Sequence, residues 1–182
     1  AVASTKAYTT QMVILYLLAT DMSMKFGEIS REEYENDIKS LYKIKKKIKE
    51  VLTYSDRVEA VADKIKNQTS MFYLGRGLDY VIAVEGALKS KEISYIHSEA
   101  FASGELKHGT IALIDDGVPV VINVTQSNLF DKSVSNIKEV AARGAFVIAI
   151  AKEGNTLVEE VADEVFYIPN VEDDYTGFLS II

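Results

Sequence analysis

Between residues 85 and 109 the chain reads Glu-Gly-Ala-Leu-Lys-Ser-Lys-Glu-Ile-Ser-Tyr-Ile-His-Ser-Glu-Ala-Phe-Ala-Ser-Gly-Glu-Leu-Lys-His-Gly, a stretch dense in titratable side chains that holds both histidines of the sequence. Helical spacing over about 80–100 puts Glu85, Lys89 and Glu92 close to one stripe. A carboxylate and an ammonium that near tune each other's proton affinity, which suits Glu92 to moving a proton on and off carbon. The same spacing also describes an exposed helix face carrying Glu-to-Lys pairs, and spacing alone does not separate the two. His108 falls in the loop after Gly-Glu-Leu-Lys, where an imidazole is open to solvent. His97 falls inside the expected helix, and a packed, hydrogen-bonded ring is the expectation there.

Two other segments carry anion chemistry. Gly75-Arg76-Gly77 lies between an expected strand and an expected helix, where backbone amides can cradle an anion, although a tight turn that needs glycine explains the same pattern. Thr125-Gln126-Ser127-Asn128 offers hydroxyls at another helix start, and on residue types alone it is the better sugar-phosphate loop.

The elements that must position these groups fall into two parts. Ser4 or Thr5 caps a helix that runs to about Met24 and stops at Gly27. Ser30-Arg31-Glu32-Glu33 reads as a capping box for a second helix, whose Tyr34, Ile38, Leu41, Ile44, Ile48, Val51 and Leu52 recur at three- and four-residue steps above a lysine-rich wet side. Asp56 to Lys66 is a third helix with Val58, Val61 and Ile65 inward. From residue 70 short apolar runs at Met71–Leu74, Val118–Val124, Phe146–Ala151 and Glu164–Ile168 alternate with helix-length segments at about 80–100, 128–143 and 155–162. Buried strands alternating with helices predict a doubly wound α/β fold on a parallel sheet. The expected division is a helical segment over 1–54 and an α/β unit over 55–182. Asp173-Asp174-Tyr175-Thr176 reads as the start of one more helix, with Phe178, Leu179, Ile181 and Ile182 forming a cut-off apolar face that would make the chain self-associate.

Composition narrows the function classes. A net charge of -7 argues against nonspecific nucleic-acid or anionic-membrane partners. The lysines at 43, 45, 46, 47 and 49 are therefore expected to form a solvated face. With no cysteine there is no disulfide, thiolate chemistry or cysteine-bound zinc, and a reducing cytoplasm is the expected location. The longest apolar run, Met12 to Ala19, is too short to span a bilayer, and no secretion leader is evident.

Three motifs in one order resemble a known family. Val-Ala-Ser-Thr-Lys-Ala-Tyr-Thr-Thr-Gln at 2–11, Leu-Gly-Arg-Gly at 74–77, and the long Glu-Gly-Ala-Leu-Lys-x-Lys-Glu-Ile-Ser-Tyr-Ile-His-x-Glu-Ala segment with its Gly-Glu-Leu-Lys-His-Gly are similar to the isomerase half of glucosamine-6-phosphate synthases, the glutamine-dependent fructose-6-phosphate amidotransferases. That resemblance implies a sugar-isomerase fold, with the end of one subdomain followed by most of a second that lacks its last helix and tail. It implies Glu92 as the base of a ketose-to-aldose proton transfer, Lys89 as stabiliser or relay, and His108 as a ring-opening group supplied across a homodimer interface. Val2 and Ser4 match positions that line the sugar, although Ser4 also reads as a simple helix cap. The family's Lys-His-Gly-Pro becomes Lys107-His108-Gly109-Thr110, which loosens that loop. Its main phosphate loop belongs to the other subdomain, so 125–128 becomes a degenerate counterpart serving as a helix cap. The implied substrates are fructose 6-phosphate and ammonia from a glutaminase domain, the implied product is glucosamine 6-phosphate, and no cofactor or metal is implied. The 182-residue piece alone is expected to be inactive. Rival readings are a related phosphosugar isomerase or deglycase, or a sugar-phosphate sensor without catalysis.

Overall fold

The computed structural model describes residues 3–182 and shows three helices leading into a five-stranded sheet of order β2-β1-β3-β4-β5, every neighbouring pair parallel. The helices are α1 (Thr5–Phe26), α2 (Arg31–Val51) and α3 (Ser55–Ile65). The strands are β1 (Ser70–Gly75), β2 (His97–Ala102), β3 (Pro119–Val124), β4 (Phe146–Lys152) and β5 (Glu164–Ile168). Between and after them come α4 (Leu78–Ser94), α5 (Phe130–Ala141) and the short α6 (Gly177–Ser180).

Helix ends follow their capping chemistry. Ser4 accepts from the Ala7 amide at 3.2 Å and Gly27 closes α1 in the left-handed conformation. Ser30 and Glu33 form the full capping box of α2. One sheet face carries Phe72, Leu74, Ile122, Val147 and Ala149, buried beneath α5 through Val134, Ile137 and Val140. The other face is shared by α4 with α2 and the C-terminal turn, where Ile44, Ile168, Tyr175, Phe178 and Leu179 form a second cluster. Between α3 and α4 this face stays open as an apolar cleft of about 820 Å³ floored by Met71, Tyr73, Ile148 and Ile150.

Several expectations need correction. The helix expected to reach residue 100 ends at Ser94, because Tyr95 turns left-handed at φ 61° and gives its amide to Lys91. The chain then reverses into β2, an edge strand absent from the expected set, whose half-polar His97-Ser98-Glu99 lacks the β-branched run of a buried strand. The 155–162 segment forms only a 3₁₀ turn at Thr156–Glu160, and the helix expected at Asp173 begins as a 3₁₀ turn before α6. Finally, Val58 is exposed on the cleft side of α3, and the apolar C-terminal end is mostly inside: Phe178, Leu179 and Ile181 are buried, leaving Ile182 half-exposed. Uncovered apolar surface lies instead on α1, at Ile14, Leu15, Leu18, Met22 and Phe26, and on α4, at Val81, Val84 and Leu88.

Tyr95 carries a side chain where glycine is the favoured residue, and its ring is 89% exposed, so nothing is lost by removing it. Tyr95→Gly should raise stability by about 1 kcal/mol in urea unfolding. A loss of stability would mean that the tyrosine ring, not the turn, holds this end of α4.

Candidate active site

The stripe on α4 is real and tightly knit. Lys89 Nζ lies 2.8 Å from Glu92 Oε2 and 3.4 Å from Glu85 Oε1, with all three side chains largely shielded from solvent. The Glu92 hydrogen bond holds the Lys89 ammonium above its usual range, against partial burial, with Glu85 adding to the effect. The N-terminus of α1 reaches the same place. Thr5 and Lys89 line one cleft, and the Tyr8 hydroxyl is pushed up by burial and then by the charge of Glu85. Ser4, whose hydroxyl is spent on capping, therefore begins a helix whose early residues lie near Lys89 and feel the charge of Glu85. Val2 lies outside the described residues.

His108 is not with them. It closes a 3₁₀ turn, Leu106–His108, beyond the C-terminal end of β2, and its ring is exposed. Helix α4 runs antiparallel to the strands, so Glu92, near its far end, sits at the opposite ends of the strands, about 20 Å away by helix rise and strand length. Among the described residues no hydrogen bond or ion pair links the two. His97 is exposed on the edge strand, its ring 3.2 Å from Glu99, which corrects the packed ring expected for it.

Segment 75–77 serves close packing, and segment 125–128 is satisfied from within the chain. A Cβ on Gly75 would fall on the Asp79 backbone, so the glycine serves close packing of β1 on α4. The buried Asp79 carboxylate takes the Thr125 amide at 2.8 Å, the Thr125 hydroxyl and the Gln126 amide at 3.3 Å. It fills the crevice between the ends of β1 and β3, where the strand order reverses and where such sheets ordinarily bind ligands. Burial pushes this carboxyl up, with the three hydrogen bonds opposing. Beside it, Asp173 accepts from the Ser127 amide at 2.8 Å, the Ser127 hydroxyl at 2.7 Å and Lys152 Nζ at 2.6 Å. Segment 125–128 is thus an anion cradle whose anions are Asp79 and Asp173.

Comparison with known proteins places this geometry in context. A family model described as the SIS domain matches residues 64–182. The chain belongs to the SIS-domain family. Over its whole length the chain is 48% identical to the glutamine–fructose-6-phosphate aminotransferase (isomerizing) of Caldanaerobacter subterraneus subsp. tengcongensis, and 50% identical to that of Clostridium acetobutylicum. It spans 30% of the length of each of these curated relatives. The solved C-terminal domain of glucosamine-fructose-6-phosphate aminotransferase from Francisella tularensis superposes with a TM-score of 0.92 at 36% identity, covering 99% of this chain and 51% of that one.

In this SIS domain, sequence reasoning found the α4 stripe and missed Asp79, Lys152 and Asp173. Their partners lie 46, 25 and 46 residues away, and no local spacing signals such pairs. Burial alone pushes Asp173 up, but the bonds from Lys152 and Ser127 outweigh it and hold the carboxyl below its ordinary value. A depressed folded-state pKa stabilises above the unfolded value and is lost as pH falls through the folded one. Asp173→Asn should therefore lower stability at neutral pH, with the gap to wild type closing as pH drops below the ordinary carboxylate range. Parallel stability curves for the two proteins from pH 7 to pH 3 would sink this assignment.

Proposed function

We propose that the chain is part of the isomerase domain of a glutamine–fructose-6-phosphate aminotransferase, which takes fructose 6-phosphate and glutamine-derived ammonia to glucosamine 6-phosphate. In this reading residues 1–54 are the end of a first SIS subdomain and its linker helix, and 55–182 belong to the second. The uncovered apolar face of α1 fits that division, since a longer protein would bury it. Net negative charge and the absence, among the described residues, of a helix able to cross a membrane fit a cytoplasmic enzyme.

The observation that carries the reading is the Lys89–Glu92 pair at 2.8 Å beside the start of α1. Moving the carbonyl function of an open-chain ketose imine to C1 needs a base that removes a proton from C1 and returns one to C2. Glu92 is partly desolvated and rigidly mounted on a helix, which suits that shuttle. Because its neighbours hold Lys89 protonated, Lys89 acts as a fixed positive charge beside the C1 oxygen, where negative charge develops as the enaminol forms and becomes the aldehyde, rather than as a second proton carrier. Ser4 and Val2 would line the sugar from the start of α1.

His108 opens the sugar ring in this reading, and the opposite-end geometry supports its doing so in the site of a partner subunit. A chain whose base and ring-opening group stand about 20 Å apart on one sheet can join them only by pairing with another copy. The expected assembly is a homodimer.

Two measurements on the natural full-length protein test this. Glu92→Gln should cut glucosamine 6-phosphate formation by about 10²–10⁴-fold while sparing sugar binding, and near-normal turnover would remove Glu92 from the role of base. Mixed dimers of Glu92→Gln and His108→Ala subunits should recover activity through one intact composite site. No recovery in verified heterodimers would place His108 in its own subunit's chemistry or in none.

A further inference from the structure

The loop that carries His108 hangs off the end of β2 with little to fix it. Its own bonds are local: Glu105 to Ala102 at 2.8 Å and His108 to Glu105 at 3.0 Å, with Ser103 tied back to Gly75 at 2.9 Å. Leu106 is buried in the core and pins the middle, yet an apolar anchor does not fix where the next two residues point. The far end is reached by a polar chain that starts on β1.

Arg76 follows β1 directly, and its Nε donates to Asn136 Oδ1 on α5 at 2.9 Å. Asn136 is buried, and its Nδ2 donates to Glu139 Oε2 at 3.1 Å, one helical turn on. The other oxygen of Glu139 takes Lys107 Nζ at 2.8 Å, the residue immediately before His108. The order of these links is dictated by chemistry. A guanidinium only donates, so the Asn136 carbonyl must face Arg76, which turns the amide nitrogen toward the carboxylate. Burial of Glu139 pushes its carboxyl up, but Lys107 and Asn136 outweigh that and hold it ionised below its usual range. The same guanidinium lies against the loop itself: a Cβ on Gly104 would come within 3.2 Å of Arg76 Nη1. Glycine at 104 thus lets the loop backbone rest on the side chain that begins the chain of bonds.

The geometry points to Arg76 as a positioning residue for His108, acting through Asn136, Glu139 and Lys107 and by direct support at Gly104. Orientation follows from these contacts, since its Nε is committed to Asn136 and its Nη1 lies against Gly104. The catalytic consequence rests on the ring-opening role proposed for His108. The anchoring itself does not.

The test uses the natural full-length protein with Arg76→Gln, which keeps a polar side chain but lacks the fork. Turnover should fall by about 10–100-fold, the scale of a misplacement near 1 Å, with KM for fructose 6-phosphate little changed. In a His108→Ala background the same substitution should have almost no further effect, since a residue acting through His108 has nothing left to position. An additive loss in the double variant, or a rise in KM with kcat unchanged, would overturn the assignment in favour of direct phosphate contact or general destabilisation. Hydrogen exchange read on the same proteins tracks the loop independently of activity: amides 105–109 should exchange faster in Arg76→Gln than in wild type, while α4 is unaffected. Unchanged exchange in the loop overturns the anchoring. If wild type makes no glucosamine 6-phosphate, the proposed function fails, and the exchange result alone decides the role of Arg76.

Discussion

Everything of chemical interest in this chain depends on how α4 is locked to the sheet at its first turn. Gly75 lets the helix start press onto the end of β1, and the buried Asp79 carboxylate then gathers the amides and hydroxyl that terminate β3. A buried carboxylate with three donors is costly to form and costlier to disturb, since removing any donor leaves charge in a dry place. That lock sets the axis and rotation of α4. With both fixed, the face that presents Glu85, Lys89 and Glu92 at the helix's far end is set by the 3.6-residue repeat alone. Asp79 thus governs the stripe without approaching it, and it does so by occupying the crevice where a doubly wound sheet would ordinarily hold its ligand.

Occupation of that crevice bears on where the proposed site lies. In this SIS domain the strand ends offer the amides, hydroxyls and lysine that a phosphate would use, and Asp79 and Asp173 consume them. The binding capacity of the fold has been converted to structural use at one end of the strands. The proposed chemistry lies at the opposite ends of the strands, where α4 ends and β2 begins.

Much of the fold was legible because its signals are local. Buried strands announce themselves as apolar runs, and β3, β4 and β5 fall within a residue of expectation. The capping residues of α1 and α2 name themselves by type. The stripe on α4 needed only the helical period. The features that failed are those that local pattern does not carry. Nothing in Ser-Tyr-Ile-His marks a left-handed residue, because tyrosine adopts that conformation only when the continuing chain demands it; β2 supplies that demand by pairing with β1. Without the reversal, helix was the economical reading of 95–100. The loop at 125–128 was legible as an anion cradle, but its occupants come from α4 and the C-terminal turn, and contacts across 46 residues are set by topology.

The same topology keeps Glu92 and His108 of one chain at opposite ends of the strands. A helix packed antiparallel on a parallel sheet separates the residues leading into β2 from those leaving it by the full strand length, however the side chains are chosen. Any mechanism that uses both Glu92 and His108 must therefore recruit the loop of one copy to the stripe of another, and the loop must arrive already shaped. An exposed turn would lose conformational entropy on docking and weaken the composite site by that amount. A loop clamped beforehand by Leu106 below and by the Arg76–Asn136–Glu139–Lys107 chain alongside has already lost that freedom during folding. In the proposed reading, pre-shaping of the loop is the physical condition for sharing a site between subunits, and the side chains that would supply it come from the end of β1, from α5 and from the loop itself.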